Sequence, residues 1–304
     1  MALSQELKYP ESLLQNILLF SATSLIWGST WIAIKFQLGE VDPLISVVYR
    51  FFLAALILLA YAYFVSLNLK FSRREHAMMA LLGFFLFGIN YWLVYVAELS
   101  LPSGLVAVVF SSIIFLNIIN GALILRSAIR WYVFFGALTG MFGIALVFNE
   151  EILGFDISGA NTIAFLLAFS AAVLASLGNI TSAYIQKKKI PVIQANAFGM
   201  FYGACFMLMI SLIIDKPFNF EFSFPYISSL LYLSIFGSII AFSCYLTLLG
   251  KIGPDKSAYV TLIIPVIALI LSTFFENYTW TAASLAGVVL ILTGNFIILR
   301  RKKA

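Results

Sequence analysis

Tyr91, Tyr95 and Glu98 follow one another at intervals of four and three residues. On a helix that spacing puts two phenols and a carboxylate on one face, with Asn90 and Trp92 flanking it. A carboxylate in such a place can bind a substrate ammonium or carry a proton. Acids within apolar runs are costly and default to such roles, so Glu98 is the proton-coupling candidate. The competing reading ends the third apolar run at Glu98, where the following stretch Leu99 to Gly104 brings it near water. A second stripe runs Ser176, Asn179, Ser182 and Gln186, and Asn117 and Asn120 form a similar pair. Tyr245 follows Ser238 by seven residues, again on one helical face. Polar stripes on apolar helices must face protein or a wet cavity. Interhelical hydrogen bonds and a substrate-lining wall both account for them. Trp27 falls in the middle of an apolar run. With Trp31, Tyr91, Tyr95 and Tyr245 it suits a pocket for apolar or aromatic solutes and cations. Gly199 and Gly203, four apart, read as helix packing. Arg50 and Lys35 sit near the ends of runs, where long basic side chains snorkel to the interface. The alternative for Arg50 is an ion pair with Glu98 or Glu276.

No catalytic constellation accompanies these residues. The single histidine, His76, stands beside Arg73, Arg74 and Glu75 and reads as a solvated loop residue. The two cysteines, Cys205 and Cys244, lie inside apolar runs, so neither a disulfide framework nor a Cys/His zinc site has its ligands. No phosphate-cradling glycine loop is present. The expectation is a protein that is not an enzyme, with no cofactor and no metal site. Any work it performs draws on a gradient.

The elements that position these residues follow from composition. Of 304 residues, 62% are apolar and 10% charged, and mean hydropathy is +1.04. Soluble domains are roughly 45–50% apolar and about 25% charged. A water-soluble fold is thereby excluded. Ten apolar runs can be marked, at about 14–34, 45–66, 77–97, 103–125, 131–148, 161–185, 192–214, 226–249, 257–275 and 281–299. Each is long enough to approach the roughly 20 residues of a spanning helix. Backbone groups in lipid must be satisfied internally, which makes them helices, and the short alternating segments of a β-barrel are absent. The N-terminal stretch is a poor signal peptide: it carries two Glu and one Lys before the first run, with no A-x-A cleavage pattern after it. With the N-terminus in the cytoplasm, 15 of the 18 Lys and Arg fall on the inner side, and Lys35, Arg50 and Lys216 are the exceptions. That asymmetry fits ten spans with both termini cytoplasmic. It also explains the basic pI without a nucleic-acid partner. The expected partners are a small-molecule substrate and the lipid bilayer, and a monomer is compatible with the reading.

The chain also repeats itself. Trp131 is followed by Gly136 and Gly143, and Trp280 by Gly287 and Gly294, with the same spacing between each pair of glycines. Leu-Pro-Ser-Gly at 101–104 precedes the fourth run, and Gly-Pro-Asp-Lys at 253–256 precedes the ninth. Five spans per half is odd, so the halves, 1–150 and 151–304, are inverted relative to one another. Inverted repeats are a common plan of secondary transporters, with the substrate near the midplane between them.

Several short motifs then occur in order: Trp27-Gly28-Ser29-Thr30, Tyr49-Arg50-Phe51, Asn90 to Tyr95, Glu98, Leu101 to Leu105, Ile264-Pro265-Val266, Ser272 to Glu276, and Gly294-Asn295. In this order they resemble the EamA family of the drug/metabolite transporter superfamily. The resemblance implies an all-α integral membrane fold of ten helices in two inverted five-helix repeats. It also implies a multi-pass place in the bacterial inner membrane and export of small metabolites, often amino acids or drugs. Two positions depart from the family pattern. Ile113 stands where proline is frequent, which predicts a fourth helix straighter than the ninth, and Leu99 follows Glu98 where a polar residue is expected. The resulting expectation is a secondary active transporter of an amino acid or drug-like amphiphile, working by alternating access. The first, third, fourth, sixth, eighth and ninth helices would wall its site, and Pro265 would act as a gating point. Trp27, Asn90, Tyr91, Tyr95, Glu98, Asn117, Ser176, Asn179, Ser182 and Tyr245 are the substrate-binding candidates. A uniporter, an exchanger, and an importer of a nucleoside- or sugar-type metabolite stay open. A channel is weaker, since no filter motif is visible.

Overall fold

A computed structural model describes residues 8–101, 106, 109–154, 159–275 and 280–299. Among these the regular structure is helical throughout, with no strand. The long helices are α1 (Lys8–Lys35), α2 (Pro43–Phe64), α3 (Arg73–Glu98), α4 (Ile113–Leu125), α5 (Trp131–Val147), α6 (Gly159–Lys187), α7 (Val192–Ile213), α8 (Phe224–Ile252), α9 (Val260–Phe275) and α10 (Ala282–Leu299). Six of them, α1, α2, α3, α6, α7 and α8, are long and apolar enough to cross a membrane. Helices α4, α5 and α10 are apolar but shorter.

Local sequence starts these helices where the chain turns. Asp42 caps α2 by accepting from the Leu44 amide at 2.9 Å, and Pro43 occupies the first turn, where its missing N–H costs nothing. Ser72 and Glu75 form a reciprocal capping box at α3. Ser223 and Pro225 start α8 in the same manner as Asp42 and Pro43 start α2.

The segments leading into α4 and α9 each contain a turn, at 111–112 and at 258–259. Ser111 and Ser112 form a turn between helical Phe110 and Ile113. There the Ser112 amide bonds the Val109 carbonyl and the Ile114 amide bonds that of Ser111, each three residues back. Adjacent serines compete for the main chain and tighten the ladder without proline. Pro265 lies inside α9 and is buried.

Two helix pairs run along one another, α2 with α7 and α5 with α10. Further contacts come in matched sets: α1 packs on α8 and α9, α6 packs on α3 and α4, α7 packs on α3, and α2 packs on α8. The α5–α10 seam is made by glycine. A Cβ on Gly287 would lie 2.5 Å from the Gly143 carbonyl oxygen, and one on Gly294 would lie 2.6 Å from that of Gly136. Small residues at such crossings let backbones touch.

Both α3 and α8 are interrupted at mid-length by π-helix, over Gly83–Ile89 and Leu233–Ile240. Such segments loosen the main-chain ladder and are frequent at functional sites.

Candidate functional site

Seven segments enclose a cavity of about 100 Å³ at the centre of the bundle. Trp27, Thr30 and Ile34 come from α1, Arg50 from α2, and Leu86, Asn90, Tyr91 and Val94 from α3. Phe110 and Ser111 come from the segment just before α4, Ile113 from its first residue, and Ala175 and Asn179 from α6. Phe242 and Tyr245 on α8, with Thr261, Ile264 and Pro265 on or before the middle of α9, complete the wall. Among the described residues, α5, α7 and α10 supply none of it. The first, third, fourth, sixth, eighth and ninth helices or their lead-in segments thus line this cavity, joined by α2 through a single side chain.

One side of the cavity is aromatic. Trp27 meets Phe242 edge-on, with centroids 4.9 Å apart, and lies 5.0 Å from Tyr245. Tyr91 stands between Phe51 at 4.9 Å and Phe242 at 6.1 Å. The indole Nε1–H of Trp27 donates to the Gly237 carbonyl at 3.0 Å, inside the π-segment of α8. Amides adjoin this aromatic surface at Tyr245. Asn179 Nδ2 donates to the Tyr245 hydroxyl at 3.0 Å and reaches Asn117 Oδ1 at 3.5 Å, while Asn117 Nδ2 donates to the Pro254 carbonyl at 3.0 Å. The Asn179 Oδ1 atom is buried and accepts no hydrogen bond among the described residues.

Arg50 does not snorkel. It is 1% exposed. Its Nε donates to Ser238 Oγ at 2.9 Å and its Nη1 to the Tyr95 hydroxyl at 3.4 Å. The guanidinium carbon sits 4.7 Å from the Tyr91 ring centroid and 5.2 Å from that of Phe51, within cation–π range of both rings. The π-segment of α8 shapes this seat: Ser234 Oγ donates to the Arg50 carbonyl at 3.1 Å, and a Cβ at Gly237 would lie 3.2 Å from Nη2. No carboxylate pairs with Arg50 among the described residues. Glu98 turns both carboxylate oxygens into the protein rather than into water, and neither accepts a hydrogen bond among the described residues. Glu276 lies outside the described residues.

Of the predicted binding residues, the fold brings Trp27, Asn90, Tyr91, Asn179 and Tyr245 to the cavity, together with Pro265. Tyr95 stands behind the wall on Arg50, and Asn117 stands behind Asn179. Ser176 accepts from Asn120 Nδ2 at 2.9 Å between α6 and α4. Ser182 accepts from Gln186 Nε2, which also donates to the Leu246 carbonyl of α8 at 2.9 Å. Both serines therefore stand in helix seams. Sequence reasoning did not single out Arg50, Thr30, Phe242 or Thr261 as wall residues. A signal existed for Arg50, one of three basic residues against the charge asymmetry. Of the other two, Lys216 is neutralised by Asp42 at 2.7 Å.

The EamA-like transporter family matches the chain twice, over residues 14–149 and 162–300. The chain belongs to that family. Relatives extend over nearly the whole length. The transporter YoaV of Bacillus subtilis is 26% identical over 91% of this chain and 94% of its own, and PagO of Salmonella typhimurium is 26% identical over 93% and 92%. The inner membrane transporter YedA of Escherichia coli K12 is 27% identical over 91% and 90%. A solved crystal structure superposes with a TM-score of 0.77 at 17% identity, covering 93% of this chain and 95% of that one, which fixes the fold. This EamA protein is thus a multi-pass inner-membrane transporter.

Proposed function

We propose that the protein carries a small amphiphilic metabolite, an amino acid or drug-like solute, out across the inner membrane by alternating access. Its two halves, 1–150 and 151–304, act as inverted five-helix repeats around the central cavity, with ten spans and both termini cytoplasmic. The observation that carries this reading is the cavity itself: helices of both halves wall it, and the α5–α10 seam stands apart from it. Glycine contacts support the inversion. Gly143 and Gly294 hold equivalent places in the two repeats, as do Gly136 and Gly287, and the contacts Gly143 to Gly287 and Gly294 to Gly136 are exchanged by a two-fold axis. The charge asymmetry supports the count and orientation of the spans. The export direction rests on the family likeness.

Pro265 stands in the wall inside α9, where it withholds a main-chain donor from the ladder. Gating there predicts that Pro265→Ala inserts normally and transports more slowly. Equal uptake and efflux rates in the two proteins would remove the gating role. The primary test is reconstitution in liposomes with a labelled amino-acid panel, with and without a pH gradient. Saturable, competed flux supports a carrier, and linear, uncompeted flux supports a channel. Glu98→Gln separates the coupling modes: loss of the pH effect supports a proton site, while accumulation unaltered by the substitution favours exchange or facilitated diffusion.

A further inference from the structure

A buried guanidinium on a cavity wall, with no carboxylate opposite it among the described residues, points to the charge that the cavity is built to receive. We infer that Arg50 is the anion anchor of the site and that the cargo is a small monocarboxylate with an aromatic or branched apolar body. This inference rests on the central cavity being the substrate site.

Two of the five N–H donors of Arg50 are taken by hydroxyl oxygens, those of Ser238 and Tyr95, and its face lies over Tyr91. Hydroxyls and rings orient a guanidinium but do not neutralise it. An uncompensated buried charge is strongly unfavourable, and the partner that suits a planar fork of donors is a carboxylate. Arg50 is the one charged residue on the described wall, which matches one negative charge and leaves a phosphate dianion short of a second cation. Trp27, Phe242 and Tyr245 provide the apolar surface for the rest of the molecule. No acid lines the described wall, so an ammonium contributes little. The unpartnered Asn179 Oδ1 offers a neutral acceptor for a hydroxyl or amine, a preference secondary to the carboxylate.

The full-length protein in nanodiscs is titrated with four probes of one shape: 3-phenylpropionate, its neutral amide, phenylalanine and phenethylammonium. Binding is read by calorimetry and by thermal shift. The expected order places 3-phenylpropionate at least about tenfold tighter than the amide, in keeping with the loss on truncating one side of a buried charge pair. Phenylalanine should bind within a few-fold of 3-phenylpropionate, and phenethylammonium should be weakest. Arg50→Gln should bring carboxylate and amide to equal affinity, and Arg50→Lys should restore part of the difference. Where Arg50→Gln fails to fold, the probe series on the native protein still decides. Equal binding of carboxylate and amide by the native protein overturns the anchor, as does binding of neither, or an unchanged preference in folded Arg50→Gln. Flux is measured separately in liposomes. Carboxylate binding without flux would sink the carrier reading and leave the anchor standing. Flux of phenethylammonium without carboxylate binding would do the reverse.

Discussion

The two π-segments occupy like places in α3 and α8 and serve different ends. In α3, Gly83–Ile89 serves packing, and only its Leu86 reaches the cavity. A Cβ at Gly83 would meet the Gly199 carbonyl oxygen and come within 2.7 Å of the Gly203 nitrogen, so α3 and α7 touch main chain to main chain. In α8, Leu233–Ile240 is a seat for functional groups. It receives the Trp27 indole on the Gly237 carbonyl and Arg50 Nε on Ser238, and it grips the Arg50 carbonyl through Ser234. The same distortion therefore yields close approach where glycine faces glycine, and polar attachment points where serines interrupt the run. What differs is the side chains placed on it.

Substitutions can break or sharpen this contrast. The largest effect is expected from Gly83→Ala, because the atoms it would strike are backbone and cannot rotate away. We expect about 3 kcal/mol of destabilisation, seen as a lower melting temperature in detergent and poor recovery of monodisperse protein. A stability equal to the native protein would refute the packing role of the α3 segment. Ser238→Ala comes next. It strips an oxygen from a buried cation, at a cost of about 2 kcal/mol, and should weaken solute binding more than Gly83→Ala does in whatever protein folds. Gly237→Ala is milder, about 1 kcal/mol, since its new methyl meets the Thr30 methyl, Arg50 Nη2 and Leu233 Cδ2 at 3.1, 3.2 and 3.6 Å, all ends of side chains. It should nonetheless slow flux by moving Arg50, and unaltered flux would separate the α8 segment from transport. The smallest change is expected from Trp27→Phe, about 0.5–1 kcal/mol for one neutral hydrogen bond. Its readout is the loss of any solute-dependent change in tryptophan emission that Trp27 contributes.

Much of the fold was legible because lipid leaves the chain few choices. The apolar runs and the Gly136–Gly143 and Gly287–Gly294 spacing each carry their reason in the residues. The aromatic wall was readable too, since Trp27 in mid-run has no interface to explain it. Polar stripes were read less well. Periodicity shows that Ser176, Asn179 and Ser182 face protein, but only the neighbouring helices decide that Asn179 reaches the cavity while the serines meet Asn120 and Gln186. Arg50 near a helix end looks like any snorkelling cation until Ser238, 188 residues away, is seen beneath it. The π-segments were invisible, because Gly-Phe-Phe-Leu-Phe-Gly-Ile and Leu-Ser-Ile-Phe-Gly-Ser-Ile-Ile have the composition of ordinary apolar helix.

The glycine seam between α5 and α10 has a consequence for descent. In a symmetric pair of separate chains, every substitution lands on both sides of the interface at once. Here the equivalent positions belong to one chain and can drift independently, yet the facing carbonyl oxygens of Gly136 and Gly143 admit almost nothing larger than hydrogen. The cavity wall is under no such restriction, since Trp27, Asn179 and Phe242 meet open space on one side. A change of cargo can therefore come from altering the lining alone, with the seam left as it is.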